Sequence, residues 1–440
     1  MPKKDLANLR LACHDFSVRA APALFNDLSI TLRTSTFTKP ARLAALDRLG
    51  FYVKTLSFNL PHTADTFLPP LVDPDTGAEL SFTYTPQIEA PTARRPKYGD
   101  IGTTEVLTRQ YPALFHAATN VPAFIRAFSA FINLQHLRIS CHGYDVSTRY
   151  RRSIVDFALI SLRIAVERNC LNALDTLTLS PIHPGGLLYL SPLTSYGATP
   201  RSASRWSRIR HLIIHVDSLP TSTAPVDGES DHFKLLQTYL RNFQAKLTTF
   251  RFRWNGKKGP LPVRRLAILS SSTRLRPAER HSHGHGQAPT RHPKVLAPLC
   301  FPSLRHFQVE DVATSAAEIS AFVDAHKRTL EELNLEDVEL TAGTWDDALA
   351  PLAKSARQRF SSEETADIPI MLSPSTAAAP LPTRMERVAS MNDTSGRPSL
   401  HLSRWLSSRK SKPAAARKVR EGLLGCEEQF KKVLSALPWK

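Results

Sequence analysis

The sequence predicts a mixed α/β fold in which strand–helix units stack side by side into one curved parallel sheet. Three observations predict it. A short apolar pattern recurs seven times along the chain. Segments with helical spacing lie between its copies. The copies starting at residues 134, 174, 209 and 247 follow one another at intervals of 35–40 residues, the spacing of a stacked structural repeat.

The pattern is an apolar residue, two others, an apolar residue, one other and an apolar residue. In chain order it reads Val53-Leu56-Phe58, Leu134-Leu137-Ile139, Leu174-Leu177-Leu179, Ile209-Leu212-Ile214, Leu247-Phe250-Phe252, Leu304-Phe307-Val309 and Leu330-Leu333-Leu335. The end of each copy alternates apolar and polar, as a strand with one buried face does. The helices follow in the same order. Residues 121–132 (VPAFIRAFSAFI) form a helix candidate. Val155, Leu159, Leu162 and Val166 fall on one helix face, as do Leu236, Tyr239, Leu240 and Phe243. Ser315 and Glu318 have capping-box spacing ahead of Ile319, Phe322 and Val323. The expected fold is therefore an irregular leucine-rich-repeat-like β/α solenoid, a horseshoe with helices on its convex side. The 81-residue interval after the first copy suggests a poorly marked extra unit, and the 57-residue interval before the sixth suggests an insertion.

If the triplets point inward, the residues between them form an open face. Its columns contain Thr55, Ser57 and Asn59, then His136, Arg138 and Ser140, then Thr176, Thr178 and Ser180. They continue with His211, Ile213 and His215, then Thr249, Arg251 and Arg253, then His306, Gln308 and Glu310, then Glu332, Asn334 and Glu336. The face runs from small and polar through basic to acidic. The expected partner-binding residues are His136, Arg138, His211, His215, Arg251, Arg253, His306, Glu310, Glu332 and Glu336, because solenoids bind partners on such faces. His136 and His211 would lie two strands apart, roughly 10 Å, which is too far for two imidazoles on one zinc ion.

Composition bounds the rest. Lys and Arg outnumber Asp and Glu by 57 to 39, a net charge of +18. Residues 257–294 and 384–440 each carry a net +8, so the basic bias sits in two segments. The first has few large apolar residues, and no aromatic residue lies between Phe360 and Trp405; such stretches cannot bury enough surface to offset chain entropy. The expected organisation is segment 1–34, a solenoid over 35–355 with a disordered basic insertion at 265–293, a disordered tail at 356–418 and an amphipathic helix at 419–440 (Phe430, Val433, Leu434, Leu437). Arg409, Lys410, Lys412 and Arg417, Lys418, Arg420 are basic clusters of the kind used for nuclear import. No aromatic platforms alternate with these charges, so specific nucleic-acid binding is not expected. Five cysteines without short spacing exclude a disulfide scaffold and a CxxC zinc module. No apolar run is long enough for a membrane span, and MPKKDLANLR has no signal-peptide core. A cytoplasmic or nuclear monomer without cofactor or metal is expected. Phosphate-binding, serine-hydrolase and zinc-protease motifs are absent, so the chain is expected not to be an enzyme.

Residues 6–32 (LANLRLACHDFSVRAAPALFNDLSITL) resemble the second half of an F-box as found in fungal proteins. The matching residues are Leu6, Leu9, Arg10, Leu11 and Cys13 in one helix, then Ala20, Ala21, Pro22, Leu24 and Phe25, then Leu28 and Ile30 entering a strand. The stretches 247–263, 301–312 and 326–352 are similar to ascomycete F-box-like leucine-rich-repeat proteins, the last with Gly343, Trp345 and Leu349 opening a helix. The family's first, Leu-Pro-containing F-box helix has no counterpart here. The resemblance implies a protein-substrate receptor or adaptor of a Skp–cullin–F-box ubiquitin ligase. It implies that Leu6, Leu9, Leu11, Cys13, Pro22, Leu24 and Phe25 face a Skp-type adaptor. The alternatives are an interaction scaffold without ligase association, or a protein acting on nucleic acid or membrane surfaces through its basic loop and tail.

Overall fold

In the first six copies of the apolar triplet all three residues are buried, and in the seventh only Leu333 is, while the outward residues between them keep some exposure. The computed structural model describes residues 2–90, 96–144, 152–218, 228–263 and 299–353. The insertion 265–293, the tail 356–418 and the helix 419–440 lie outside the described residues.

The chain opens with α1 (Lys3–Ala12) and α2 (His14–Leu24), then β1 (Asp27–Thr31), α3 (Pro40–Leu49) and β2 (Thr55–Asn59). A small antiparallel pair follows, β3 (Leu71–Val72) with β4 (Glu79–Leu80). Next come α4 (Ile101–Gln110), α5 (Ala113–Ala118), α6 (Val121–Phe128) and β5 (His136–Ser140). The middle is α7 (Ile154–Arg168), β6 (Thr176–Ile182), α8 (Gly186–Leu190), α9 (Ser202–Trp206), β7 (His211–Asp217), α10 (Gly228–Leu240) and β8 (Thr249–Asn255). The described part ends with β9 (Gly259–Pro260), β10 (His306–Glu310), β11 (Val312–Ser315), α11 (Ala316–His326), β12 (Glu332–Glu336) and β13 (Glu339–Ala342). A helix beginning at Trp345 follows.

Eight strands form one parallel sheet in the order β1-β2-β5-β6-β7-β8-β10-β12. This is the large parallel sheet of a mixed α/β fold. The triplet ends align in register: Leu56 with Leu137, Leu177, Leu212, Phe250, Phe307 and Leu333. Each strand entry repeats one hydrogen-bond pattern. The carbonyls of Lys54, Gln135, Asp175, Arg210, Thr248 and Arg305 each accept two backbone N–H bonds from the next strand. The copies are thus equivalent in hydrogen bonding as well as in sequence.

Four expectations change. The 81-residue interval holds no extra rung, because β2 pairs directly with β5. The intervening residues instead form the β3–β4 pair and α4–α6. An added rung is β1, with Leu28 and Ile30 set against Leu56 and Phe58. The candidate helix at 121–132 stops at Phe128, and Ala130 and Phe131 turn into the next strand. Cys13 belongs to no helix: its extended backbone, φ −160°, is the break between α1 and α2.

The four apolar positions on α7 are not its only buried ones. Residues on every side of this helix are buried, including Ile160, Ile164 and Arg163. It contacts α5, α6, α8 and α9. A second parallel sheet, β13-β11-β9, follows the ends of the last strands. The chain enters it through left-handed turns at Gly256 (φ 101°), Asp311 (φ 58°) and Asp337 (φ 50°). Among the described residues, no helix is long and apolar enough to cross a membrane.

Candidate functional site

Alternation fixes the site. Because successive side chains in a strand point to opposite faces, burying Leu137 and Ile139 forces His136, Arg138 and Ser140 outward. With all strands in register, the outward residues line up as three columns. The first is Asp27-Thr55-His136-Thr176-His211-Thr249-His306-Glu332. The second is Ser29-Ser57-Arg138-Thr178-Ile213-Arg251-Gln308-Asn334. The third runs Thr31-Asn59-Ser140 on one side and His215-Arg253-Glu310-Glu336 on the other, with a register shift in β6 between Leu179 and Ile182. Every residue of these columns keeps some solvent exposure, and Arg138, Arg251 and Arg253 are exposed. The ten residues expected on the face all lie on it, with Thr176 between His136 and His211.

Three of the face histidines hydrogen-bond to neighbouring hydroxyls. His136 Nε2 meets Thr178 Oγ1 at 2.8 Å, His211 Nδ1 meets Thr249 Oγ1 at 3.0 Å, and His215 Nδ1 meets Ser180 Oγ at 2.8 Å. Partial burial pulls the His136 pKa down to about 4, and the Arg138 guanidinium adds to the effect. Burial also lowers His215, with Arg253 contributing. The acidic side is internally paired. Arg253 reaches Glu310 at 3.3 Å and Asp311 at 3.2 Å. Burial nevertheless raises the Glu310 pKa against the pull of that arginine. His306 lies 3.9 Å from Glu332, while Asn334 and Gln308 donate to Glu336 at 2.7 and 3.5 Å. Arg138 and Arg251 make no ion pair among the described residues. At neutral pH they are the uncompensated positive charges of the two inner strands β5 and β8.

The expected adaptor-facing residues sit on the α1–α2 hairpin. No residue of α1 is buried, and Leu11 is 85% exposed. Leu6, Leu9, Leu24 and Phe25 are half-buried, while Cys13 and Pro22 are exposed. Arg10 closes the hairpin by donating to Ser17 Oγ at 3.2 Å and lying 4.8 Å over the Phe25 ring. Phe16 and Val18 join Leu11 as exposed apolar side chains on this pair. Sequence reading did not single them out, because α2 has no clean apolar stripe.

A second polar cluster, also unforeseen, lies past the ends of β2, β5 and β6. His62 and His183 are buried with their rings edge to face at 5.1 Å, and Tyr144 stacks on His183 at 4.5 Å. His183 Nε2 lies 3.4 Å from Asp156 Oδ1. Ser153 Oγ, 3.5 Å from His62 Nδ1, also caps α7 by accepting from the Val155 N–H. Burial holds the His62 pKa down to about 3, with His183 and His142 adding repulsion. The His142 carbonyl accepts from His62 N–H at 2.7 Å, and Gly143 (φ 81°) passes so close that a Cβ would lie 2.5 Å from the His62 carbonyl oxygen. The neighbouring Cys141 is fully enclosed and burial raises its thiol pKa, so it stays protonated. Its sequence neighbour His142 is exposed, and the two do not form a pair. Among the described residues no group of three or more His, Cys, Asp or Glu is placed to hold a metal ion.

No protein-family model matches the chain, and no curated protein matches it.

Proposed function

We propose that this chain is a non-catalytic protein-binding module, and that its sheet is the spine of a leucine-rich-repeat-like solenoid. The observation that carries this reading is the set of polar columns held in register across the sheet and open to solvent. Such a surface offers many graded contacts and no converging catalytic pair. A cross-linking amino acid at Thr178 tests it. Protein adducts should form there and should be lost when the cross-linker is moved to the buried position 177. Equal labelling at both positions would remove the face from consideration.

The ligase link rests on a separate observation, the exposed apolar hairpin α1–α2. Within the proposal, Leu11, Phe16 and Val18 meet a Skp-type adaptor while the sheet holds the protein substrate in the cytoplasm or nucleus. Co-purification with that adaptor should be lost on changing Leu11 and Phe16 to Ser. Absence of any adaptor binding by the unaltered chain leaves the scaffold reading alone.

A further inference from the structure

We propose that strands β5–β8 bind an extended anionic protein segment through Arg138 and Arg251, with acidic side chains about four residues apart pairing with the two guanidinium groups. This rests on the reading of the sheet face as a protein-binding surface and names the chemistry of its partner.

The spacing follows from the register. Arg138 pairs with Thr178, Thr178 with Ile213, and Ile213 with Arg251. The two arginines therefore occupy one column three strand steps apart, about 14 Å at the usual strand separation. An extended chain advances about 3.4 Å per residue, so roughly four residues cover that distance. A helical segment, at about 1.5 Å per residue, would need nine or ten. Between the arginines the floor is made of Thr178 and Ile213, shorter side chains that leave room for a backbone to lie across.

The charges select the ligand. Both arginines are exposed and make no ion pair among the described residues, whereas Arg253 is already engaged by Glu310 and Asp311. His136, His211 and His215 are hydrogen-bonded within the face, so the free anion-binding groups there are the two guanidinium groups, which match carboxylate or phosphate oxygens bidentately. Beyond β8 the surface turns acidic with Glu310, Glu332 and Glu336. A polymer that is negative along its whole length would be repelled there. The columns carry no Phe, Tyr or Trp ring on which bases could stack. Both facts favour a protein segment with local negative charge over a nucleic acid.

The test uses the full-length chain and fluorescent synthetic peptides in a neutral Gly/Ser/Thr background. Pairs of glutamates, or of phosphoserines, are separated by two, four, six or ten residues, and a uridine-rich single-stranded RNA serves as comparison. The expected result is that separation by four binds at least tenfold more tightly than the other spacings, in the glutamate set, the phosphoserine set or both. Which set wins identifies the anion. Arg138→Gln and Arg251→Gln should each weaken that binding at least tenfold, while Arg48→Gln on α3 leaves it unchanged. Circular dichroism melting confirms that each variant is folded. No dependence on spacing, an equal loss with Arg48→Gln, or RNA binding as tight as the best peptide overturns the proposal. If the peptides fail while the cross-linker at Thr178 still captures protein, only the anionic partner is wrong. If both fail, the binding face falls with it.

Discussion

Arg163 is fully enclosed on α7, an unusual place for a guanidinium. It donates to both carboxylate oxygens of Glu167 at 2.8 Å and to the Tyr196 carbonyl. Glu167 also accepts from Trp206 Nε1 at 3.0 Å and Ser202 Oγ at 2.7 Å, so one buried ion pair ties α7 to α9. Arg163→Met should cost about 3 kcal/mol in urea denaturation, because Glu167 is left charged and buried. Adding Glu167→Gln should recover part of that loss, since a neutral amide oxygen still accepts from Trp206 and Ser202. His62 sets a pH dependence. Its folded pKa, about 3, lies below the unfolded value of 6.5, so between these limits the unfolded chain takes up a proton that the fold refuses. Stability is therefore lost as pH falls from 6.5 toward 3, by up to about 1.4 kcal/mol per pH unit for this residue. Denaturation midpoints at pH 7, 6, 5 and 4 should fall more steeply for the native chain than for His62→Phe. Sequence alone did not reveal this site, because His62 and His183 are 121 positions apart and no local pattern marks their convergence.

At the scale of elements, the apolar triplets differ sharply from the apolar residues of α1. Leu177 is fully buried in a strand paired on both sides, and Leu177→Ala should cost about 2–5 kcal/mol. Leu11→Ala on α1 should stay within about 0.5 kcal/mol, because the side chain faces solvent. A comparable loss for the two would mean that α1 packs against something the described residues do not contain. The capping box at Ser315 was readable from spacing, and both of its hydrogen bonds form. The second sheet was not foreseen, although the recurring Glu-Asp-Val at 310–312 and 336–338 marks its turns. Asp tolerates the left-handed backbone better than most residues, so it can turn the chain from β10 into β11. A helical residue's burial depends on everything around the helix. This is why one apolar face was visible on α7 while its enclosure on every side was not.

For the described molecule as a whole, stability should be graded across the sheet. The inner strands β6 and β7 have neighbours on both sides and fully buried triplets, while β1 at one edge has no fully buried residue. Hydrogen exchange followed by mass spectrometry should find the amides of β6 and β7 slowest and those of β1 among the fastest in the sheet. Exchange of β1 as slow as that of β7 would show that its open edge is covered. The face charge is also a property of the whole sheet: no single strand carries the passage from basic to acidic, which appears only when the strands stand side by side.

The amino-acid sequence by itself determined which side chains of the seven triplet-bearing strands face the core and which face solvent, because strand geometry has a period of two and burial of apolar surface selects one face. It determined the helix faces and the capping box for the same local reason. Only the tertiary structure decided that β2 lies beside β5, that β1 adds a rung, that a second sheet follows the left-handed turns, and that His62 meets His183. Those outcomes depend on contacts between residues far apart in the chain, and the periodicity of a short segment carries no information about which distant segment will cover it.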